Sequence, residues 1–244
     1  FYLILFFLGS VLMRSAGCIV NDILDKNFDK KVSRTKDRPI ASGKISITLG
    51  LGYAFILCLL ALLVLINFNY FTIILALASM PLAFTYPLMK RYTYWPQLFL
   101  GITFNYGLIL GWTSIHGQLD IVPIIFYFGA IFWTLGYDTI YGYQDIKDDE
   151  IIGLKSTSIK FKGNPKIFLT ICYLTLVFAL TIGGYLMNFN IIYFLFLLFP
   201  LLHLFQFQIK NFKSDNPSAC LRLFKSNNFL GLIIFVNILI GKII

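Results

Sequence analysis

The sequence predicts an all-α protein, a bundle of membrane-crossing helices around a central cavity, and two observations support that fold class. The first is composition: 58% of the 244 residues are hydrophobic and 13% are charged, whereas soluble domains are about 45–50% apolar and about 25% charged. A soluble globule of this size could not bury so much apolar surface. The second is that the apolar residues form continuous runs, without the alternation typical of a membrane β-barrel.

Eight apolar runs are long enough for helices that span a bilayer, which takes about 20 residues. They cover 1–24, 46–66, 70–88, 96–115, 121–143, 166–187, 191–208 and 227–244. Because backbone groups inside lipid must find their hydrogen bonds within the segment, we expect each run to be helical. Pro200 interrupts the seventh run. We expect residues 1–244 to form a single integral-membrane domain.

The basic residues lie almost entirely on one side of the predicted membrane. The connections 25–45, 89–95, 144–166 and 209–226 hold seven, two, five and four Lys or Arg residues, which is eighteen of the twenty in the chain. The positive-inside rule places these four connections in the cytoplasm or its equivalent. The net charge of +9 is therefore a feature of membrane topology, and we expect no nucleic-acid partner.

A first acidic cluster, NDILDKNFD, ends the first run at residues 21–29. Its polar members Asn21, Asp22, Asp25 and Asp29 follow spacings of three and four, which place them on one side of a helix. Arg14 lies seven residues before Asn21 and belongs to the same stripe. A charged residue beside a membrane span is costly and usually functional.

A second acidic cluster, YDTIYGYQDIKDDE, ends the fifth run at residues 137–150. On a continuous helix Asp138, Tyr141, Asp145 and Asp148 would share one face, and Asp149 would adjoin it. The two clusters are then expected at the same membrane side, each followed by a loop rich in Lys, Arg, Ser and Thr.

Two facing carboxylate clusters among basic loops indicate a site for metal ions and phosphate. Carboxylates four residues apart on a helix repel each other, and Mg²⁺ removes that repulsion while binding one or two carboxylates plus phosphate oxygens and waters. Nearby Lys and Arg residues would complete a phosphate clamp. Two alternatives remain open: the acidic residues are solvated helix ends, or the protein is a cation-coupled transporter, which would place its charges near the bilayer midplane.

The motifs resemble those of the UbiA superfamily of intramembrane prenyltransferases. That family carries NDxxDxxxD at the end of one helix and a second Asp-rich motif four helices later; here these are Asn21-Asp22, Asp25 and Asp29, then Asp145 and Asp148-Asp149. The stretches 14–43, 86–97 and 137–159 resemble the branch that acts on 4-hydroxybenzoate. Family members have nine helices, and we expect that the helix preceding the first motif is missing here.

The resemblance implies a Mg²⁺-dependent enzyme that moves a polyprenyl group from its diphosphate to the ring carbon ortho to the hydroxyl of 4-hydroxybenzoate, in ubiquinone biosynthesis. Haem, chlorophyllide, homogentisate and a naphthoate are alternative acceptors within the family. Catalytic roles are expected for Asp22, Asp25, Asp145 and Asp149. Metal ligands are expected among Asn21, Asp22, Asp25, Asp29, Asp145, Asp148 and Asp149. Donor and acceptor binding is expected from Arg14, Arg34, Arg38, Lys90, Arg91, Asp138, Tyr141, Lys155 and Ser156.

The expected location is a bilayer that supports ubiquinone synthesis. We expect the inner membrane of a bacterium, because no targeting segment is visible, with the mitochondrial inner membrane as the alternative. The sequence sets neither the prenyl chain length nor the oligomeric state.

Overall fold

The chain folds into a bundle of helices, seen in a computed structural model that describes residues 1–32 and 34–243. Within those residues no strand occurs. The helices are α1 (Tyr2–Asp29), α2 (Ile47–Leu65), α3 (Tyr70–Thr85), α4 (Met89–Tyr92), α5 (Pro96–Phe104), α6 (Gly107–His116), α7 (Ile121–Gly142), α8 (Ile146–Ile151), α9 (Thr157–Lys160), α10 (Pro165–Leu186), α11 (Ile191–Phe196), α12 (Leu198–Leu201) and α13 (Pro217–Ile243). A 3₁₀ turn covers Tyr86–Leu88, and a π-helix covers Leu202–Ile209.

Eight helical stretches of the described chain are long and apolar enough to cross a membrane. They are Tyr2–Asp29, Ile47–Leu65, Tyr70–Tyr92, Pro96–His116, Ile121–Gly142, Pro165–Leu186, Ile191–Ile209 and Pro217–Lys242. The predicted all-α membrane bundle with eight spans is therefore confirmed, although several boundaries move.

The last helix begins ten residues earlier than predicted, so the prediction of a connection up to residue 226 is wrong. Ala219, Cys220 and Leu223 are buried in α13 at helical spacing, whereas Arg222 and Lys225 lie on its exposed face. The first turns of α13 are therefore amphipathic, and their exposed charges hide them from a search for continuous apolar runs.

Helix α7 is central to the bundle, since it packs against α5, α6, α10 and α13. Two glycines allow the close approach of α10. A Cβ on Gly129 would lie 2.6 Å from the Cβ of Ala179, and one on Gly136 would lie 2.5 Å from Cε1 of Tyr173. Small residues at helix contacts are typical of membrane bundles, where backbones pack closely.

Buried polar side chains tie three segments to α7. The Tyr173 hydroxyl donates to Gln208 Oε1 at 2.5 Å, and Gln208 Nε2 donates to Asn227 Oδ1 at 2.9 Å. Trp133 Nε1 of α7 donates to the same Asn227 oxygen at 2.8 Å. Since buried polar groups must be hydrogen-bonded, this network fixes α10, the π-helix and α13 against α7.

The fourth span is broken at Asn105, between α5 and α6. The Asn105 amide donates to the carbonyl of Gly101 at 2.8 Å and to Thr134 Oγ1 of α7 at 2.8 Å. These bonds satisfy backbone and side chain at the break, as a membrane interior requires. They also fasten α5 to α7, and both helices contribute to the wall of the site.

Candidate active site

A cavity of about 280 Å³ lies among the ends of α1, α3, α5 and α7, on the side of the basic connections. Its described lining holds five carboxylates and four cationic side chains. The carboxylates are Asp25, Asp29, Asp138, Asp145 and Asp149, and the cations are Arg34, Arg38, Lys90 and Lys155. The cavity therefore joins the two acidic clusters, which lie more than 100 residues apart in the chain.

The first cluster is carried by the last turns of α1. This helix continues to Asp29, so Asn21, Asp25 and Asp29 all reach the cavity, whereas Asp22 and Arg14, predicted on the same stripe, do not line it. Asp25 is 2% exposed and Asp29 is 6% exposed. Buried carboxylates of this kind are retained only when they are paired or bound to a ligand.

The second cluster does not lie on one continuous helix, and that prediction is wrong. After Gly142 the chain makes three successive i to i+3 hydrogen bonds, the last from the Asp145 amide to the Gly142 carbonyl at 3.3 Å. A side chain on Gly142 would collide with the hydroxyl of Ser158, so tertiary packing sets this end of α7. The tighter turn brings Asp149 rather than Asp148 to the cavity.

Three cations pair with the first cluster, and one of them is Arg91, whose Nη2 lies 3.6 Å from Asp25 Oδ1. Lys90 Nζ lies 2.5 Å from Asp25 Oδ2, and Arg38 Nη1 lies 2.9 Å from Asp22 Oδ1 and 3.1 Å from Asp29 Oδ2. Asp22 is not part of the cavity lining; it contacts the cavity through Arg38. The predicted phosphate-binding residues Lys90 and Arg38 are thus placed within reach of the predicted metal ligands.

Arg34 connects the loop after α1 to the second cluster. Its Nε lies 3.1 and 3.0 Å from the two carboxylate oxygens of Asp145, and its Nη2 lies 2.5 Å from one of them. The guanidinium also lies over the ring of Tyr141, 5.4 Å from its centroid. The hydrogen bonds to Asp145 raise the pKa of Arg34 above its ordinary value.

Asp149 of the second cluster lies on α8, outside the spans. Burial, followed by repulsion from Asp145, raises its pKa to about 6. Attraction to Lys90 opposes that rise. A cation that approaches such a carboxylate stabilises its charged form.

Lys155 and Ser156 reach the cavity from the segment after α8. Lys155 Nζ donates to the carbonyl of Tyr92 at 3.1 Å and lies 5.6 Å from the ring centroid of Tyr94. Ser156 accepts a hydrogen bond from the Ile159 amide at 3.2 Å and caps α9. Ser156 therefore already has a local role in helix capping.

Arg14 and Arg91, predicted as binding residues, lie outside the described cavity lining. Arg91 Nη2 donates to the carbonyl of Leu24 at 2.5 Å, and its guanidinium lies 5.0 Å from the ring centroid of Phe28. Arg91 thus anchors the end of α1. Arg14 lies nearer the beginning of α1, with its guanidinium 5.8 Å from the ring centroid of Phe104.

Tyr86 and Gln97 are among the lining residues that the sequence did not predict. Tyr86 precedes Lys90 by four residues, a spacing that could have placed both on one side of a helical turn. Gln97 is 6% exposed, and its Oε1 accepts from the Thr157 amide at 2.9 Å. A polar residue inside an apolar span was the signal for Gln97.

The donor atoms around the cavity suit Mg²⁺. No three His, Cys, Asp or Glu side chains converge on one point in the described part of the chain, but Mg²⁺ usually takes only one or two carboxylates, with phosphate and water oxygens completing its shell. Asp25 Oδ1 is buried and makes no hydrogen bond, and its ion-pair partner Arg91 Nη2 lies 3.6 Å away. A metal ion could bind this oxygen without breaking a hydrogen bond, and Asn21, Asp29, Asp145 and Asp149 supply further oxygen atoms nearby.

Comparison with known proteins relates the whole chain to one family. The profile of the UbiA prenyltransferase family matches residues 1–235. The mitochondrial 4-hydroxybenzoate polyprenyltransferases of Bos taurus and Homo sapiens are 45% and 44% identical to this chain over 244 residues. 4-Hydroxybenzoate geranyltransferase 2 of Lithospermum erythrorhizon is 42% identical over 237 residues, which cover 96% of this chain and 76% of the relative.

Solved structures share the fold at low sequence identity. A UbiA homologue from Aeropyrum pernix K1, at 20% identity, superposes with a TM-score of 0.80 over 96% of this chain and 89% of its own. A UbiA homologue from Archaeoglobus fulgidus bound to GPP and Mg²⁺, at 17% identity, gives 0.73 over 98% of this chain and 87% of its own.

The match extends over all of this chain but not over all of the mammalian relatives. The chain spans 66% of the length of the bovine and human proteins. The family profile covers nearly every residue, the Asp-rich motifs meet at one cavity, and the fold is that of solved UbiA homologues. The chain belongs to the UbiA prenyltransferase family.

Proposed function

We propose that the protein transfers a polyprenyl group from polyprenyl diphosphate to the ring carbon ortho to the hydroxyl of 4-hydroxybenzoate, in ubiquinone biosynthesis. The observation that carries this proposal is the cavity itself, where carboxylates from two distant clusters line the same space as four cations, at one end of a membrane bundle. A diphosphate with bound divalent ions needs this combination of oxygen ligands and cations.

The names of the relatives support the acceptor. The mammalian relatives and the Lithospermum relative share 4-hydroxybenzoate in their names but differ in the prenyl group, polyprenyl in one case and geranyl in the other. The Archaeoglobus structure holds GPP and Mg²⁺. These names favour a constant aromatic acceptor and a donor whose chain length is set separately.

Asp25 and Asp29 would hold Mg²⁺ on one wall of the cavity, and Asp145 and Asp149 on the other. Bound Mg²⁺ supplies positive charge that stabilises diphosphate as a leaving group. The metal dependence follows from the chain's own charges, because three of the four cationic residues, Arg34, Arg38 and Lys90, are already paired with carboxylates.

The cationic side chains would bind the diphosphate oxygens and retain the leaving group. As the bond between the allylic carbon and the diphosphate oxygen breaks, the prenyl group becomes an allylic cation. The rings of Tyr86 and Tyr141 line the cavity and can stabilise such a cation through their faces. The ring carbon of the acceptor then attacks, and loss of its proton restores the aromatic ring.

The bundle accounts for the lipid partner. A polyprenyl tail is apolar, so it is more stable among the helices and in the bilayer than in water. We propose a bacterial or mitochondrial inner membrane as the location, and the mitochondrial names of the mammalian relatives favour the second. Immunogold labelling of the tagged protein in its source cell distinguishes the two.

The test is an assay of purified protein in lipid nanodiscs with polyprenyl diphosphate, Mg²⁺ and 4-hydroxybenzoate. We expect prenylated 4-hydroxybenzoate by mass spectrometry, no product in excess EDTA, and recovery when Mg²⁺ is restored. Homogentisate and a naphthoate offered in parallel define the acceptor. Full activity in EDTA would contradict the metal site, and no product with any acceptor, together with metal-driven ion flux in liposomes, would favour a transporter.

A further inference from the structure

We propose that Mg²⁺ and the donor diphosphate bind to this cavity with strong mutual cooperativity, through an exchange of ion-pair partners among the chain's own residues. The inference rests on the proposed function. It concerns how the two ligands reach a site whose charged groups already bind one another.

In the first cluster, each candidate phosphate ligand contacts a candidate metal ligand. Lys90 Nζ is 2.5 Å from Asp25 Oδ2, and Arg38 Nη1 is 3.1 Å from Asp29 Oδ2. A metal ion therefore competes with Lys90 and Arg38 for these carboxylates. A metal-free diphosphate competes with the same carboxylates for the two cations.

In the second cluster, too, a candidate phosphate ligand pairs with a candidate metal ligand, here between distant segments of the chain. Arg34 binds both oxygens of Asp145, at 2.5–3.1 Å, in the fork geometry that makes Arg–carboxylate pairs strong. The two residues lie 111 positions apart. The contact joins the loop after α1 to the turn after α7, so a ligand that breaks it changes the link between the two halves of the site.

Binding of both ligands removes the competition. The cations can move to phosphate oxygens while the carboxylates move to the metal, so that no buried charge loses a partner, the costly outcome for charged pairs. Either ligand alone would leave one set of charges unpaired. The nearly equal numbers of carboxylates and cations in the lining fit this exchange, as does the lack of three converging metal ligands in the described residues.

The coupling is measured with Mn²⁺ as the metal and a prenyl thiolodiphosphate as an unreactive donor analogue, on protein in nanodiscs. Electron paramagnetic resonance gives the dissociation constant of Mn²⁺, corrected for Mn²⁺–diphosphate complexes in solution. We expect saturation with the analogue to lower that constant by about tenfold or more, within the usual range of about 5–150-fold for coupled sites. By linkage, Mn²⁺ must tighten analogue binding by the same factor.

The variant Arg34→Gln tests the exchange itself. It frees Asp145, so Mn²⁺ alone should bind more tightly than to the wild type, by about threefold or more, and the coupling factor should fall. The control is Lys162→Gln, which breaks the exposed ion pair with Glu150 outside the cavity and should change neither quantity. If Arg34→Gln fails to insert, the wild-type coupling factor decides alone.

Two results would overturn the inference. One is independent binding of Mn²⁺ and the analogue to the wild type. The other is an inserted Arg34→Gln protein with unchanged Mn²⁺ affinity and unchanged coupling. The proposed function fails differently, because Mn²⁺ and the analogue would then bind cooperatively while no acceptor is prenylated.

Discussion

The two acidic clusters supply the same kind of ligand but are held in different ways. The first lies on the unbroken helix α1, where Asp25 is almost completely buried and pairs with Lys90. The second follows a helix end, and the side chain of Asp145 is 15% exposed and held by Arg34 from a loop. Groups on helices are placed more accurately than groups on connecting segments. We infer that the cavity wall formed by the end of α1 is fixed, whereas the facing wall formed by the segment after α7 is adaptable.

The largest expected effects come from removing one carboxylate on each wall. Asp25→Asn and Asp145→Asn should each lower the initial rate of aromatic prenylation by about 10²–10³, the typical cost of losing one electrostatic contact to developing charge. The control Lys210→Ala, an exposed basic residue away from the cavity, should change the rate little. Equal damage from Lys210→Ala would contradict the assignment of chemistry to the acidic clusters.

Thermal stability should distinguish the Asp25→Asn variant from the Asp145→Asn variant. Asp25→Asn leaves buried polar groups imperfectly paired beside Lys90, which costs about 1–3 kcal/mol, so its thermal unfolding midpoint should fall. Asp145→Asn affects a more exposed position and should unfold near the wild-type temperature. Equal midpoints, measured in one detergent, would remove the distinction between the fixed and the adaptable wall.

A smaller difference is expected within the second cluster. Asp149 lines the cavity and Asp148 does not, so Asp149→Asn should lower the rate more than Asp148→Asn. We expect a gap of about tenfold, corresponding to about 1.4 kcal/mol of transition-state stabilisation. Initial rates at saturating Mg²⁺ check this, and the reverse order would show that the turn after Gly142 is not the arrangement used in catalysis.

The smallest difference concerns two neighbouring cations near the first cluster. Lys90 lines the cavity and lies 2.5 Å from Asp25 Oδ2. Arg91 lies outside the lining, donates to the Leu24 carbonyl and is 3.6 Å from the other oxygen of Asp25. Lys90→Gln should raise the KM for the prenyl diphosphate, and Arg91→Gln should instead lower the unfolding midpoint with a smaller change in KM. Donor titrations and thermal unfolding of both proteins separate the roles; matching KM changes would contradict them.

The sequence predicted the first cluster better than the second for a physical reason. Nothing between Asn21 and Asp29 interrupts a helix, so spacing alone placed those side chains. The end of α7 depends on Gly142 packing against Ser158, a contact that no local pattern announces. Spacing placed Asp148 on the shared face and Asp149 beside it, and both were expected as metal ligands, whereas only Asp149 of the two lines the cavity.

Other features needed tertiary information of the same kind. The pairing of Arg34 with Asp145 joins distant segments, and composition predicted only that both lie on the basic side. The early start of α13 was missed because Arg222 and Lys225 occupy its exposed face. Apolar runs thus predicted the spans and the motifs predicted the chemistry, whereas packing decided which member of each cluster faces the cavity.

We propose that the two walls act together on one metal-bound diphosphate, and the double variant Asp25→Asn/Asp145→Asn tests this most directly. Groups that act as a unit show strongly non-additive losses. We predict that the initial prenylation rate of the double variant, in membranes with matched expression, lies within about tenfold of the slower single variant. A rate reduced by the product of the two single losses would show that the clusters act independently and would contradict the claim.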